Sequence, residues 1–198
     1  HPSQRSIVDG NFKGPVKVTG GAGTGKTVAA MHRLRRLAKE NVSGRPILFT
    51  TFTRALTSNL EKQAKSWGMV APDVQVMHLD GVARQLGKKF GILDDQVKTE
   101  FSGDFYHGIL EDLLDEIVFP YDEDFLRREF EDVVLFHGAV SLQEYLRVPR
   151  AGRGKPLTRR RRTEVWGVLD QLMDRIAKAG KMHRLDLFHR VSRHLKKN

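Results

Sequence analysis

The sequence predicts an α/β fold in which a parallel sheet carries a phosphate-binding loop and a mostly helical subdomain follows. Three observations predict it. The stretch GGAGTGKT, residues 20–27, has the spacing G-x-x-x-x-G-K-[ST], the pattern of a loop whose backbone N–H groups cradle phosphate oxygens. A β-type segment precedes that loop, and an amphipathic helical segment follows it. Strand-like and helical segments then alternate to about residue 91, after which the rhythm is helical.

Taken in order, GPVKVT (residues 14–19) alternates Val16 and Val18 and reads as a short strand that runs into the glycines. VAAMHRLRRLAKE comes next, with Ala30, Leu34, Leu37 and Ala38 at helical spacing and basic residues on the other faces. The N-terminus of that helix would add its positive end to the phosphate site. GRP at 44–46 interrupts the chain, and the apolar, β-rich ILFTTFT reads as a second strand. RALTSNLEKQAKSW, with Leu56, Leu60, Ala64 and Trp67 roughly in line, reads as a helix, PDVQVMH as a third strand and LDGVARQLGKKFG as a third helix. The resulting βαβαβα order implies a parallel sheet.

No strand is expected beyond residue 92. FYHGILEDLLDEIV sets Ile109, Leu110, Leu113, Leu114 and Ile117 on one helical stripe, and EDFLRREFEDVVLF does the same with Phe125, Leu126, Phe130 and Val133. Ser141 reads as the cap of a short helix, with Glu144 at capping-box spacing. A long helix is expected from a Thr158 cap to Gly180, and RLDLFHRVSRHLKK reads as a last amphipathic helix. Residues 1–91 are therefore expected to form the nucleotide-binding part and residues 92–198 the helical subdomain. GRGK at 152–155 imitates a second phosphate loop. However, Pro149 stands where its first glycine belongs and Pro156 where Ser or Thr is needed, so it reads as a basic loop.

Composition narrows the function classes. The 198 residues contain no cysteine, which excludes disulfides and cysteine-ligated zinc. No apolar run approaches the roughly 20 residues that span a bilayer, and no signal-peptide core is visible. The expectation is a cytoplasmic protein without a membrane partner. The net charge of +10 is unevenly spread. Residues 1–100 hold 16 basic and 8 acidic side chains (+8), residues 101–150 hold 4 and 12 (−8), and residues 151–198 hold 14 and 4 (+10). Such asymmetry points to a polyanion partner or, for any one cluster, to a solvated helix face. The run Arg159–Arg162 opens a helix, where positive charge is disfavoured by the dipole. Glu111, Asp112, Asp115 and Glu116 read as an exposed acidic helix face rather than a metal site.

The loop itself implies a nucleoside triphosphate with magnesium. Gly20, Gly21, Ala22, Gly23, Thr24 and Gly25 offer backbone to phosphate, Lys26 reaches the β/γ-phosphates, and the Thr27 hydroxyl ligates the metal. Lys26 is thereby the candidate catalytic residue. Together with TFTRAL (residues 51–56), the loop resembles the start of a superfamily-one helicase of the UvrD/Rep/PcrA type. That family carries A-G-[ST]-G-K-T in the loop and T-F-T-N-K-A as its next motif. VMHLDGVAR, with His78, is similar to the family's T-F-H-S-L-A, and RLDLFHRVSRHL to its D-F-D-D-L helix. Arg54 and Leu79–Asp80 depart from the family pattern.

The resemblance implies a RecA-like ATP-binding domain (1A) followed by a helical 1B-like insertion. It also implies ATP and magnesium as cofactors, and Gln4, sixteen residues before Gly20, as the reader of adenine. The implied partners are single-stranded DNA, a duplex junction, and the helicase's C-terminal remainder with its second motor domain. A 3′-to-5′ polarity is implied by resemblance only.

Phe52, Thr53, Arg54 and His78 fall at expected strand ends, which face the ligand crevice in parallel sheets. An aromatic for stacking, hydroxyls and a guanidinium are what a single-strand track uses. The competing readings are a core role for Phe52, a helix cap for Thr53 and a helix-start role for His78. No D-E pair follows an apolar strand, since Asp115–Glu116 and Asp122–Glu123 lie in helical contexts. The chain is therefore expected to be an N-terminal part that stops short of the Walker B strand and cannot hydrolyse ATP alone. A helicase-like factor that remodels RNA polymerase and a stand-alone P-loop module are the alternatives.

Overall fold

In the computed structural model, residues 2–41, 44–69, 71–100, 104–149 and 156–197 are described. They build two compact units, His1–Val82 and Ala83–Asn198. The basic stretch 150–155, including all of GRGK, lies outside the described residues.

In the first unit α1 (Pro2–Asp9) and α2 (Lys26–Lys39) precede the strand β1 (Ile47–Thr51), α3 (Arg54–Ser66) and the strand β2 (Val74–His78). The two strands pair in parallel from Ile47↔Val74 to Thr51↔His78, with α3 as the crossover that parallel strands require. β1 alternates, its Ile47, Phe49 and Thr51 turned inward and Leu48 and Thr50 exposed. The covered face packs on Met31 and Leu34 of α2 and on Leu60 and Ala64 of α3, closed by Met69 and Val74. Thr53 caps α3 by accepting from the Leu56 N–H at 3.3 Å. A hydroxyl pair, Thr51 Oγ1 to Thr57 Oγ1 at 2.7 Å, ties the buried end of β1 to α3.

Two features of this unit differ from the sequence expectation. Gly14–Thr19 is not a strand, and its Val16 and Val18 stay exposed. Alternation makes a segment fit for pairing, but a strand exists only where another backbone completes the ladder. Among the described residues β1 and β2 pair with each other and nothing pairs with 14–19. Conversely, α1 has no counterpart in the sequence expectation, because PSQRSIVD holds only two large apolar side chains, Ile7 and Val8, side by side. At eight residues it is too short to be stable alone, and arginines more than twenty positions away in sequence hold it in place (below).

The second unit contains most of α4 (Leu79–Lys89), whose first residues belong to the first unit. It continues with α5 (His107–Asp115), α6 (Glu123–Glu129), α7 (Leu142–Arg147), α8 (Arg159–Lys178) and α9 (Arg184–Lys197). Buried Val165, Trp166, Val168, Leu169, Leu172 and Ile176 make α8 the spine of the core, against Leu110 and Leu113 of α5 and Leu126 of α6. A π-helical turn, Phe130–Leu135, follows α6 and buries Phe130, Val133, Val134 and Leu135. Beside it the buried Glu129 carboxylate accepts from the Tyr145 hydroxyl at 2.6 Å.

This unit is not wholly helical. β3 (Lys98–Glu100) and β4 (Lys181–His183) form a second parallel pair, contrary to the expectation of no strand beyond residue 92. Three residues are too few to show a period of two. Lys-Thr-Glu and Lys-Met-His therefore carry no strand signal of their own.

The Ser141 cap is present. Its Oγ accepts from the Glu144 N–H at 3.3 Å, while the Glu144 carboxylate accepts from the Val140 N–H at 3.0 Å and pairs with Arg193 at 2.8 Å. Those donors hold the Glu144 carboxyl below the usual carboxylate range, the Val140 N–H foremost. Ser141→Ala is expected to lower stability by about 1 kcal/mol, the ordinary effect of a lost cap, read as an earlier midpoint in urea unfolding.

Candidate functional site

The chain enters α2 from the glycine loop through Gly25, which is left-handed at φ 79°. Glycine is required there twice over. An L side chain disfavours that φ, and a Cβ would come within 2.6 Å of the Gln4 Nε2. Thr24 Oγ1 donates to the Gly21 carbonyl at 2.9 Å, and Lys26 Nζ donates to the Gly20 and Gly21 carbonyls at 2.8 and 2.5 Å. The loop is thus a closed turn with its ammonium at the mouth.

The opening of α2 suits an anion. Its cap residue provides no side-chain acceptor, and its first turn holds no carboxylate. The Lys26, Thr27 and Val28 N–H groups lack intrahelical acceptors by geometry, because the first helical bond is Ala29 N–H to the Gly25 carbonyl. Unmatched donors, the positive end of the helix dipole and the exposed Lys26 form a donor set for phosphate, and the exposed Thr27 hydroxyl is the one oxygen of this group with a lone pair for a hard cation. Lys26 and Thr27 also border a cavity of about 710 Å³ whose other walls include Val16, Val18, Phe49 and Leu56.

Gln4, on α1, donates from Nε2 to the Thr24 carbonyl at 3.0 Å, so the N-terminal glutamine and the loop are in contact. The parallel register sets Thr51 beside His78, which brings Phe52, Thr53, Arg54 and His78 to one edge of the β1–β2 pair. Phe52 is 87% exposed, so it is not a core residue. Thr53 serves as the α3 cap. His78 Nδ1 accepts from the Gly81 N–H at 3.0 Å, a helix-start role that leaves Nε2 outside that bond. Arg54 is exposed and has no side-chain partner among the described residues.

Much of the basic character has internal employment that the sequence did not reveal. Arg33 and Arg36 of α2 donate to backbone carbonyls at the end of α1. Arg162 reaches the carbonyls of Tyr145, Leu146 and Val148 at the end of α7 and lies over the Tyr145 ring at 4.7 Å. Arg160 and Arg161 pair with Glu164. Of the run 159–162 only Arg159 has no side-chain partner among the described residues. The single available signal was the helical spacing of these arginines, which also fits a solvated face.

Glu111, Asp112 and Asp115 are exposed, and Glu116 pairs with Arg175. Hydrogen bonding from that guanidinium holds the Glu116 carboxyl below its usual range. Among the described residues no group of His, Asp or Glu could hold a metal by itself. No helix among them is long and apolar enough to cross a membrane.

A cavity of about 280 Å³ lies within the second unit among Val134, Met173, Ile176 and Met182, with His183 and His189 also lining it. Burial pushes the His183 imidazole below its ordinary range. None of the motif residues borders that cavity.

Among known families, residues 1–198 match the UvrD/REP helicase N-terminal domain. No curated protein matches the chain.

Proposed function

The chain belongs to the UvrD/REP helicase N-terminal domain family, and from that premise we propose that it is the ATP-binding N-terminal part of an ATP-dependent helicase that moves along single-stranded DNA. The observation that carries the reading is the opening of α2, where Lys26 and Thr27 emerge from a left-handed Gly25 into a helix start without cap or carboxylate. Lys26 neutralises the β/γ-phosphates, the Thr27 hydroxyl ligates magnesium, and the Gly20–Gly25 backbone cradles the phosphates. Gln4 meets the adenine edge. Bound magnesium withdraws charge from the phosphoryl oxygens. Residues 1–91 belong to a RecA-like domain and residues 92–198 to a helical insertion, with the second motor domain supplied by the C-terminal remainder of the helicase.

The single strand runs over the edge that carries Phe52, Arg54 and His78. Phe52 offers a ring face to a base, Arg54 a guanidinium to phosphate, and His78 Nε2 a further polar contact. Thr53, whose oxygen caps α3, contributes through its remaining O–H. Phe52→Ala is expected to weaken binding of an oligothymidylate by about 1 kcal/mol, the lower end for one lost stack. Log affinity is expected to fall linearly with log salt in both proteins with nearly the same slope, since phosphate contacts set the slope and stacking does not. Fluorescence anisotropy across a salt series measures both. Binding that ignores salt, or an unchanged affinity for the alanine variant, would remove DNA from this edge.

A further inference from the structure

The C-terminal end of α1 is held by two arginines of α2. Arg33 Nη1 donates to the Ile7 carbonyl at 2.7 Å and to the Gly10 carbonyl at 2.8 Å, with Val8 at 3.4 Å. Arg36 Nη1 donates to the Asp9 carbonyl at 2.6 Å, and its Nη2 to Asn11 Oδ1 at 2.9 Å and the Gly10 carbonyl at 3.3 Å. These are carbonyls that the end of a helix leaves without intrahelical donors. Two guanidinium charges also sit against the negative end of its dipole. The Phe12 ring packs under Arg33 at 4.7 Å, and the Glu40 carboxylate faces Arg36 Nε at 3.7 Å, too far for a hydrogen bond. α1 has no basic residue in its own last turn.

At the other end of α1 the Gln4 amide meets the loop. Its Nε2 donates to the Thr24 carbonyl, and its carboxamide fills the space that a side chain at residue 25 would need. That bond settles which way the amide faces, because a flipped amide would set Oε1 against a carbonyl. The second Nε2 hydrogen and the Oε1 lone pairs stay available, one donor and one acceptor in fixed order. A fixed order is what separates adenine from guanine, whose edge presents the reverse pattern. An amide free to flip would serve both bases.

We propose that Arg33 and Arg36 are positioning residues for base selection: by clamping the end of α1 they hold Gln4 against Thr24, so they set the preference for ATP over GTP without touching the nucleotide. The proposal rests on the reading that Gln4 meets adenine. The clamp belongs to the same helix that begins with Lys26. α2 therefore fixes the phosphate site at its start and the base reader through its third turn.

The test compares affinities of the 198-residue chain for fluorescent ATP and GTP analogues with magnesium, and for magnesium tripolyphosphate, which has no base. Arg36→Met keeps the aliphatic stem, removes the fork, and leaves the cavity wall intact, because Arg36 does not line it. The ATP-to-GTP affinity ratio is expected to fall by roughly threefold to tenfold, the worth of one ordered hydrogen bond, while tripolyphosphate affinity holds. Arg36→Lys, with one point charge in place of the fork, is expected to restore the ratio only in part. Gln4→Ala should lower the ratio as far, and adding Arg36→Met to it should lower it no further. Arg33→Met is the second variant should the first not fold; because Arg33 lines the cavity, the ATP-to-GTP ratio rather than either affinity alone is its readout. A ratio that moves in Gln4→Ala and not in the arginine variants overturns the clamp alone. A ratio that does not move even in Gln4→Ala overturns the adenine reading and the clamp with it. Parallel loss of tripolyphosphate binding in Arg36→Met marks a merely structural role and also overturns the proposal.

Discussion

Lys26→Ala is expected to weaken ATP–magnesium binding by roughly tenfold to a hundredfold, the equivalent of about 1.4–2.8 kcal/mol for one charge-assisted contact. The lysine bonds to the Gly20 and Gly21 carbonyls at 2.8 and 2.5 Å, so its removal also takes a brace from the loop. Both glycines are exposed, however, and water can take over as donor to their carbonyls. The loop keeps its Thr24–Gly21 bond and its left-handed glycines. The loss therefore reports the missing positive charge opposite phosphate. Titration with a fluorescent ATP analogue measures it, and circular dichroism of the variant checks that the helices persist. Equal affinity in a folded variant would remove the phosphate-loop function from residues 20–27.

How much of this was legible in the sequence depended on whether an element's cause was local. α8 announces itself by apolar spacing, by Thr158, whose side chain accepts from the Arg161 N–H at 3.3 Å, and by Gly180. α3 does so through Thr53 and its Leu60 and Ala64 stripe. In each case cap and stripe act within one segment. Gly14–Thr19 shows the limit, because alternation reports that a segment has two faces and says nothing of a partner. β3 and β4 fail in the other direction, each too short to have a pattern and formed only because the other is alongside. α1 is a third kind of miss, an eight-residue helix with two adjacent large apolar side chains whose end carbonyls are satisfied by Arg33 and Arg36.

The candidate site divides the same way. The loop is legible because close backbone approach and a left-handed turn each demand glycine at stated spacings. Strand-end placement of Phe52 and His78 follows from the order of elements, but exposure does not, and only the structure separates a projecting Phe52 from a core one. For Thr53 and His78, the helix-capping roles and the proposed strand contacts use different atoms of the same side chains. Charge was the least legible property. Arg33, Arg36 and Arg162 look in sequence like surface cations for a polyanion, and in the fold they close helix ends.

The 198-residue chain is expected to bind ATP and to show no DNA-stimulated hydrolysis. Phosphoryl transfer requires a carboxylate on the metal, a group that orients the attacking water and, where present, a transition-state arginine worth roughly 10³ to 10⁵ in rate. The acidic residues of the first unit are Asp9, Glu40, Glu61, Asp73 and Asp80. Glu40 caps the far end of α2, about 20 Å from the loop at 1.5 Å per residue. Asp9 ends α1, Glu61 pairs with Lys65 at 2.8 Å on α3, and Asp73 precedes β2 at the sheet edge away from the loop. Asp80 alone lies at the strand-end edge, with Oδ2 3.9 Å from His78 Nδ1. The D-E pairs of the second unit are used otherwise, Glu116 with Arg175 and Asp122 as the α6 cap, 2.8 Å from the Phe125 nitrogen. Steady-state phosphate release with and without a single-stranded oligonucleotide reads the outcome directly. Sustained turnover that Lys26→Ala abolishes would mean that the chain holds a catalytic carboxylate of its own. Asp80→Asn would then be the first variant to make, because Asp80 alone of these carboxylates shares the strand-end edge with Phe52 and His78.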